Sequence, residues 1–217
     1  MDFALARHNM VEGQIRTNRV TDPLVVNALS EIPREAFVPD ALQSQAYIDE
    51  DLNVAPGRIM MEPMVMARLM QAARIEDTDI CLVIAAATGY EAAAIAKLAS
   101  AVIALESDDA LKQAAATNLA AQGADTVSVL VGELAKGHPG QGPYDVIFVN
   151  GAVGDLPAAL TDQLAEGGRL VYVQAAEHAG GKAILVTKDN GVVSGAELFD
   201  ASIPALAEFA KKPAFNF

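Results

Sequence analysis

Two acidic residues and one short turn carry the groups that could bind a nucleotide-like ligand. The turn, residues 85–90, follows an apolar run and precedes an alanine-rich stretch, a pattern that predicts strand, turn and helix. Free N–H groups and the positive end of the helix dipole bind ligands at such turns. Glu106 ends the next apolar run, about twenty residues later, where a carboxylate can accept hydrogen bonds from ribose hydroxyls. Glu133 follows a third run and could meet an adenine amino group.

The turn is poor in glycine. Gly89 would let the backbone approach a ligand closely, whereas Ala85 and Ala87 would restrict that approach. A plain buried strand that turns into a helix therefore remains an alternative for this segment. For Glu106 the alternative is a solvated acidic residue at the start of the next helix.

The elements that position these residues form an alternating pattern from residue 80 onward. Strands are predicted at 80–86, 101–106, 126–131, 145–150 and 169–174, with helices at 91–98, 109–121 and 156–165. This alternation predicts an α/β fold with a mainly parallel sheet covered on both faces. Strands at 183–188 and 192–199 flank Asn190-Gly191, a hairpin signal, so the sheet should end in an antiparallel hairpin.

The first third of the chain does not show this alternation of strands and helices. Helices are predicted at 3–17, 21–30 and 64–73, and residues 40–63 are predicted to be irregular. We expect a single domain over 1–217, in which residues 1–75 form a helical N-terminal extension packed on an α/β core of residues 76–217.

The charge and composition of the chain disfavour several kinds of partner and site. A net charge of −13 disfavours a nucleic-acid backbone or an anionic membrane as partner. Cys81 is the single cysteine, which excludes a disulfide within the chain and fits a reducing compartment, so we expect a cytoplasmic protein. The three histidines lack metal-ligand spacing, and no metal site is predicted. The long apolar region, residues 80–105, is interrupted by polar turns, which favours strand, helix and strand over a membrane span.

Six short motifs occur in an order that spans most of the chain. They are Met10-Val11-Glu12-Gly13-Gln14-Ile15-Arg16, Ile32-Pro33-Arg34-Glu35-Ala36-Phe37-Val38-Pro39, Ala46-Tyr47-Ile48-Asp49, Thr88-Gly89-Tyr90, Pro143-Tyr144-Asp145-Val146-Ile147, and Gln163-Leu164 followed by Gly167-Gly168-Arg169-Leu170. In this order they resemble the motifs of the protein-L-isoaspartate O-methyltransferase family. One such match is weak, whereas the ordered set is specific.

The resemblance implies a Rossmann-like S-adenosylmethionine-dependent methyltransferase fold and S-adenosylmethionine as methyl donor. The acceptor in this family is the α-carboxylate of an isoaspartyl residue in a damaged peptide, a protein-repair reaction. The resemblance places Gly89 and Tyr90 beside the methionine part of the cofactor, Glu106 at the ribose and Glu133 near the adenine. Methyl transfer at a sulfonium carbon needs mainly positioning and desolvation.

The cofactor loop departs from the family pattern. Val83 stands where the family has an acidic residue, and Ala85 and Ala87 stand where it has glycines. A methyl clash or a lost charge-assisted contact costs on the order of 1–3 kcal/mol. Together these changes are expected to weaken cofactor binding by a factor of roughly ten to a few thousand.

The acceptor loop, residues 52–63, departs as well. Ile59 and Met61 replace the hydroxyl-bearing residues, and Met61 stands at the position of the family's acceptor-contacting serine. Arg58 replaces a glutamine, and its guanidinium could bind an acceptor carboxylate in bidentate geometry. The alternative for Arg58 is an ordinary surface arginine.

These features leave three functional hypotheses. The first is methyl transfer to a carboxylate, with isoaspartyl-containing peptides or proteins as substrate. The second is a catalytically degenerate family member that acts as a binding or interaction protein. The third is a methyltransferase with another carboxylate acceptor. A nicotinamide dehydrogenase is disfavoured because the turn lacks the glycine fingerprint of that class. The oligomeric state, and whether the C-terminal aromatics Phe215 and Phe217 pack on the body or on a partner, stay open.

Overall fold

The structure is a computed structural model, and it describes residues 1–175 and 180–209. The helices are α1 (Phe3–Met10), α2 (Pro23–Glu31), α3 (Pro63–Ala73), α4 (Tyr90–Ile95), α5 (Asp109–Ala121) and α6 (Ala158–Thr161). The strands are β1 (Leu52–Ala55), β2 (Arg58–Met60), β3 (Ile80–Ile84), β4 (Ala101–Glu106), β5 (Val127–Val131), β6 (Tyr144–Val153), β7 (Leu164–Ala175), β8 (Gly181–Asp189) and β9 (Val192–Asp200).

Seven strands form one sheet in the order β5-β4-β3-β6-β7-β8-β9. The first five of these are parallel, whereas β8 and β9 are antiparallel to their neighbours. The prediction of a mainly parallel sheet with an antiparallel C-terminal hairpin is therefore confirmed. The strand order reverses between β3 and β6, and in open α/β sheets ligands bind at the carboxyl ends of the strands at such a point.

Two segments differ from their predicted structure. The helix predicted at 156–165 is only the short α6, and β7 already begins at Leu164. The helix ends at Thr161, and two residues later the side chain of Gln163 holds the chain in place: its Nε2 donates to Lys136 O and Ala159 O, and its Oε1 accepts from His138 N. The segment predicted to be irregular, 40–63, contains the antiparallel hairpin of β1 and β2. Strands this short give little periodic signal in a sequence.

The N-terminal residues pack on the sheet through shared apolar contacts. One buried cluster includes Met10 and Val26 from the first helices, Met66 from α3 and Val83 from β3. The predicted helix at 3–17 is α1 continued by a wider helical turn, Val11–Ile15, and a tighter one, Arg16–Asn18. The division of the chain at residue 75 stays a prediction.

The remaining points concern a membrane span and three residues considered in the sequence analysis. Within 1–175 and 180–209, no helix is long and apolar enough to cross a membrane. His178, Phe215 and Phe217 lie outside the described residues.

Candidate functional site

The turn after β3 holds two alanines in a backbone conformation that favours glycine. Ala85 has φ 60° and Ala87 has φ 50°, and both are buried. A left-handed conformation costs a residue with a Cβ atom about 1–2 kcal/mol. The hydrogen bonds Ala86 N to Leu105 O, 3.2 Å, and Gly89 N to Ala86 O, 2.8 Å, hold the turn in place. The turn therefore has a backbone shape that favours glycine, with alanine at both positions.

Gly89 and Tyr90 are packed inside the protein. Gly89 has φ 101°, and a Cβ atom there would lie 3.1 Å from Leu119 Cγ, so the glycine gives α5 room to approach. The Tyr90 ring is fully buried, with its centroid 5.7 Å from that of Phe37 and 4.7 Å from the guanidinium carbon of Arg34. Their predicted role beside a cofactor stays a prediction.

Glu106 lies at the carboxyl end of β4 and is fully buried. Its Oε1 accepts from Ala87 N at 2.7 Å, and its Oε2 accepts from Ser107 N at 3.0 Å. Arg58 Nε lies 3.0 Å from Oε1 and 3.1 Å from Oε2. The two residues that the sequence assigned to different parts of the site are thus bonded to each other.

The guanidinium of Arg58 is held by a second carboxylate as well. Its Nη2 donates to Glu208 Oε1 at 2.6 Å and to Ser107 Oγ at 2.7 Å, and its Nη1 donates to Gly57 O at 2.9 Å. The side chain is only 5% exposed. Burial would lower the pKa of Arg58, but its bonds to Glu208 and the charge of Glu106 outweigh burial and raise the pKa. Arg58 is therefore a fixed charge in this site.

The hairpin that carries Arg58 is tied to the sheet by Asn150. The Asn150 Nδ2 donates to Ile59 O at 3.0 Å and to Ala85 O at 3.2 Å, which joins β2, β6 and the turn. The Asn150 Oδ1 is buried and accepts no hydrogen bond from the described residues. A donor on a ligand could satisfy this acceptor; among the described residues the Tyr90 hydroxyl is a second buried oxygen at the turn without a hydrogen-bond partner.

Glu208 reaches the site on a segment that follows β9. Leu206 N donates to Ala152 O and Ala152 N donates to Pro204 O, both at 2.9 Å. Gly151 has φ 151°, and a Cβ atom there would lie 2.5 Å from Leu206 Cγ, so only glycine lets this segment dock. The segment thereby covers the carboxyl edge of β6 and places Glu208 over Arg58.

The remaining predicted site residues lie apart from this ion pair. Met61 is fully buried, and its N–H donates to Glu91 Oε1 at 3.1 Å. Glu133 is exposed and pairs with Lys136 at 2.6 Å; no hydrogen bond among the described residues joins it to Glu106. Sequence reasoning missed Glu208, which belongs to no motif, and Glu91, which reads as an ordinary acidic residue in the first turn of a helix. The described residues contain no group of acidic, histidine or cysteine side chains that could hold a metal ion.

S-adenosylmethionine does not fit this arrangement as it stands. A ribose would have to bond a carboxylate whose two oxygens already accept from Arg58 and from two backbone N–H groups. Outside the ion pair a cavity of about 390 Å³ is open, lined by Ala55, Pro56, Arg58, Ser107, Asp108, Ala110, Leu111 and Glu208. Space for a ligand therefore exists next to Glu106, but Arg58 stands between the cavity and the carboxylate.

Glu91 makes the stability of this site depend on pH. Burial raises the pKa of Glu91 to about 7, although its bond from Met61 N opposes the shift. A carboxyl whose pKa is raised by folding stabilises the protein at low pH, and this contribution is lost as pH rises from about 4.5 to 7. We expect Glu91→Gln to remove that loss, so that its free energy of unfolding relative to wild type rises by about 3 kcal/mol between pH 5 and 8.

Urea unfolding at both pH values checks this expectation. Glu12→Gln, a change at an exposed glutamate, is the control and should leave the difference between the two pH values as in wild type. Equal pH profiles for Glu91→Gln and wild type would contradict the assignment.

Comparison with known proteins shows the family to which the chain belongs. The family model of protein-L-isoaspartate (D-aspartate) O-methyltransferases matches residues 6–200. The chain belongs to this family. It is 40% identical over 169 residues to a protein-L-isoaspartate O-methyltransferase of Koribacter versatilis, which covers 78% of the chain and 76% of that protein. It is also 37% identical over 186 residues to protein-L-isoaspartate O-methyltransferase 1 of Rhodopseudomonas palustris. This match covers 86% of the chain and 76% of that protein.

Solved structures of the same family share the fold. One protein-L-isoaspartate O-methyltransferase is 25% identical with a TM-score of 0.79; the match covers 92% of this chain and 65% of that one. A second, from Plasmodium falciparum and in complex with S-adenosyl-L-homocysteine, is 19% identical with a TM-score of 0.80 over 96% of this chain and 99% of that one. The predicted methyltransferase fold of the family is therefore confirmed.

Proposed function

We propose that the protein transfers a methyl group from S-adenosylmethionine to the α-carboxyl group of an isoaspartyl residue in a damaged peptide or protein. The observation that carries this proposal is the family match over residues 6–200, together with a buried carboxylate, Glu106, at the end of β4. S-adenosylmethionine would supply the activated methyl group. Glu106 would be the ribose contact once its hydrogen bonds from Arg58 are broken.

The relatives support both the reaction and the cofactor. The curated relatives are named protein-L-isoaspartate O-methyltransferases, and the Plasmodium protein binds S-adenosyl-L-homocysteine. Gly89, Tyr90, Ala85, Ala87 and Glu133 are the proposed further contacts of the cofactor. The cytoplasm is the proposed compartment, because the cysteine of the chain, Cys81, is a free buried thiol.

A methylation assay tests the proposal directly. The purified protein is incubated with S-adenosylmethionine carrying a labelled methyl group and with one peptide in an isoaspartyl form and a normal aspartyl form. We expect label only in the isoaspartyl form. Calorimetric titration with S-adenosylhomocysteine should give a dissociation constant of about 0.1–1 mM, because the turn has lost two glycines and an acidic residue. No heat at millimolar ligand, with no label on either peptide, would contradict the proposal.

A second candidate function is a binding or interaction protein that keeps the fold without catalysis. The specific observation in its favour is that Arg58 donates a hydrogen bond to both oxygens of Glu106, the carboxylate that a cofactor ribose would need. Label on the isoaspartyl peptide would exclude this candidate. Label on other carboxylates, but not on the isoaspartyl peptide, would instead favour a methyltransferase with a different acceptor.

A further inference from the structure

The guanidinium of Arg58 is fully hydrogen-bonded within the protein. Its Nε–H is shared between the two oxygens of Glu106, Nη1 donates to Gly57 O and lies 3.5 Å from Glu208 Oε2, and Nη2 donates to Ser107 Oγ and Glu208 Oε1. All five N–H groups of the guanidinium therefore have an acceptor. An arginine with every donor satisfied and 5% exposure is part of the interior.

Glu106 is saturated in the same way. Each of its oxygens accepts from Arg58 Nε and from one backbone N–H, of Ala87 or of Ser107. A carboxylate has about four lone-pair positions, so none is left for the hydroxyls of a ribose. The Nε–H of Arg58 and the hydroxyls of a ribose would both donate to these two oxygens, so they compete for the same atoms.

The outer half of this arrangement comes from a part of the chain that the family model does not match. Glu208 lies beyond residue 200, on the segment that docks on β6 through Leu206 and Ala152. It pairs with Arg58 at 2.6 Å and also accepts from Ser107 Oγ at 3.1 Å. Without a cation between them, Glu106 and Glu208 would repel each other, so Arg58 and the docked segment stabilise one another.

We infer that Arg58 is an internal occupant of the ribose subsite, locked between Glu106 and Glu208, and that an adenosyl cofactor binds only when this guanidinium leaves. Arg58 then acts as a competitor built into the chain, and the segment that carries Glu208 sets how firmly it is held. The inference rests on the proposed function only for the identity of the ligand.

Calorimetric titration with S-adenosylhomocysteine compares wild type with three variants. We expect Arg58→Met to bind about tenfold more tightly than wild type or better, because the carboxylate becomes free for a ribose. Glu208→Gln should bind with intermediate affinity, because it loosens the outer contact and leaves the Arg58–Glu106 pair. The control Arg169→Met removes another partly buried arginine, paired with Asp79 at 2.6 Å, and should bind as wild type does.

Nuclear magnetic resonance of the arginine side chains supplies a readout that does not depend on activity. The Nε–H of Arg58 is buried and bonded to Glu106, so its signal should be resolved and exchange slowly with water. Its absence from the spectrum of Arg58→Met assigns it. On saturation of wild type with S-adenosylhomocysteine, the signal should shift and lose its protection.

The outcomes separate the inference from the proposed function. If wild type binds S-adenosylhomocysteine and methylates isoaspartyl peptide while Arg58→Met binds no better, the inference is wrong and the function stands. An Arg58 signal that saturating ligand leaves unchanged also overturns the inference. If Arg58→Met binds and wild type does not, the inference stands and the native protein is not the proposed enzyme. If no variant binds at millimolar ligand, both are overturned.

Discussion

Removal of Arg58 should destabilise the protein by about 3–5 kcal/mol, because Glu106 is left buried without a cation, whereas Glu106→Gln should cost less, about 1–3 kcal/mol, because Glu208 still pairs with Arg58. Glu106 is fully buried and Arg58 is 5% exposed, so neither charge can recover its hydration without a structural change. Glu106→Gln also weakens the acceptors of Ala87 N and Ser107 N, which hold the turn against β4. Equilibrium unfolding in urea measures each loss.

The double variant Arg58→Met/Glu106→Gln should be much more stable than the sum of the single changes predicts. The second substitution removes the charge that the first leaves unpaired, so we expect a coupling energy of about 2 kcal/mol or more. Arg16 and Glu12 provide a matched control, since their Nε and Oε1 atoms are also 3.0 Å apart while both side chains are about half exposed. The same substitutions there should give a coupling energy below about 0.5 kcal/mol. Equal coupling at the two sites would show that burial does not strengthen the Arg58–Glu106 pair.

Replacement of Ala85 and Ala87 by glycine should raise cofactor affinity most in a variant that also lacks Arg58. Ala85→Gly and Ala87→Gly take two methyl groups out of the turn and relieve two left-handed alanines. In the wild-type background the gain for S-adenosylhomocysteine should be small, because Arg58 still occupies Glu106. In the Arg58→Met background the same two changes should tighten binding by roughly ten- to a hundredfold more.

The stability of the glycine variants provides the internal check. Relief of a left-handed alanine gains about 1–2 kcal/mol, and the added freedom of glycine in the unfolded chain offsets about 0.4–1 kcal/mol of that. Both variants should therefore be as stable as wild type or slightly more stable, as urea unfolding would show. The explanation of the turn is wrong if the glycines lower stability by more than about 1 kcal/mol.

The architecture could be predicted because its signals are local. The apolar runs that become β3, β4 and β5 are separated by helices with clear start and stop residues, and Asn190-Gly191 specifies the hairpin of β8 and β9. In the hairpin of β1 and β2 only the turn, Pro56-Gly57, has such a signal, because the two strands are too short to show a period; the early end of α6 has none. The latter depends on the side chain of Gln163, which bonds to groups distant in the chain.

The sequence by itself determined the family, the parallel sheet and the position of Glu106 at the end of its strand. Only the tertiary structure decided that Arg58 contacts Glu106, because that ion pair joins residues 48 positions apart. Glu208 completes the site from 150 positions away. A buried charge takes the partner that folding places next to it, and that choice depends on how the hairpin and the C-terminal segment dock on the sheet.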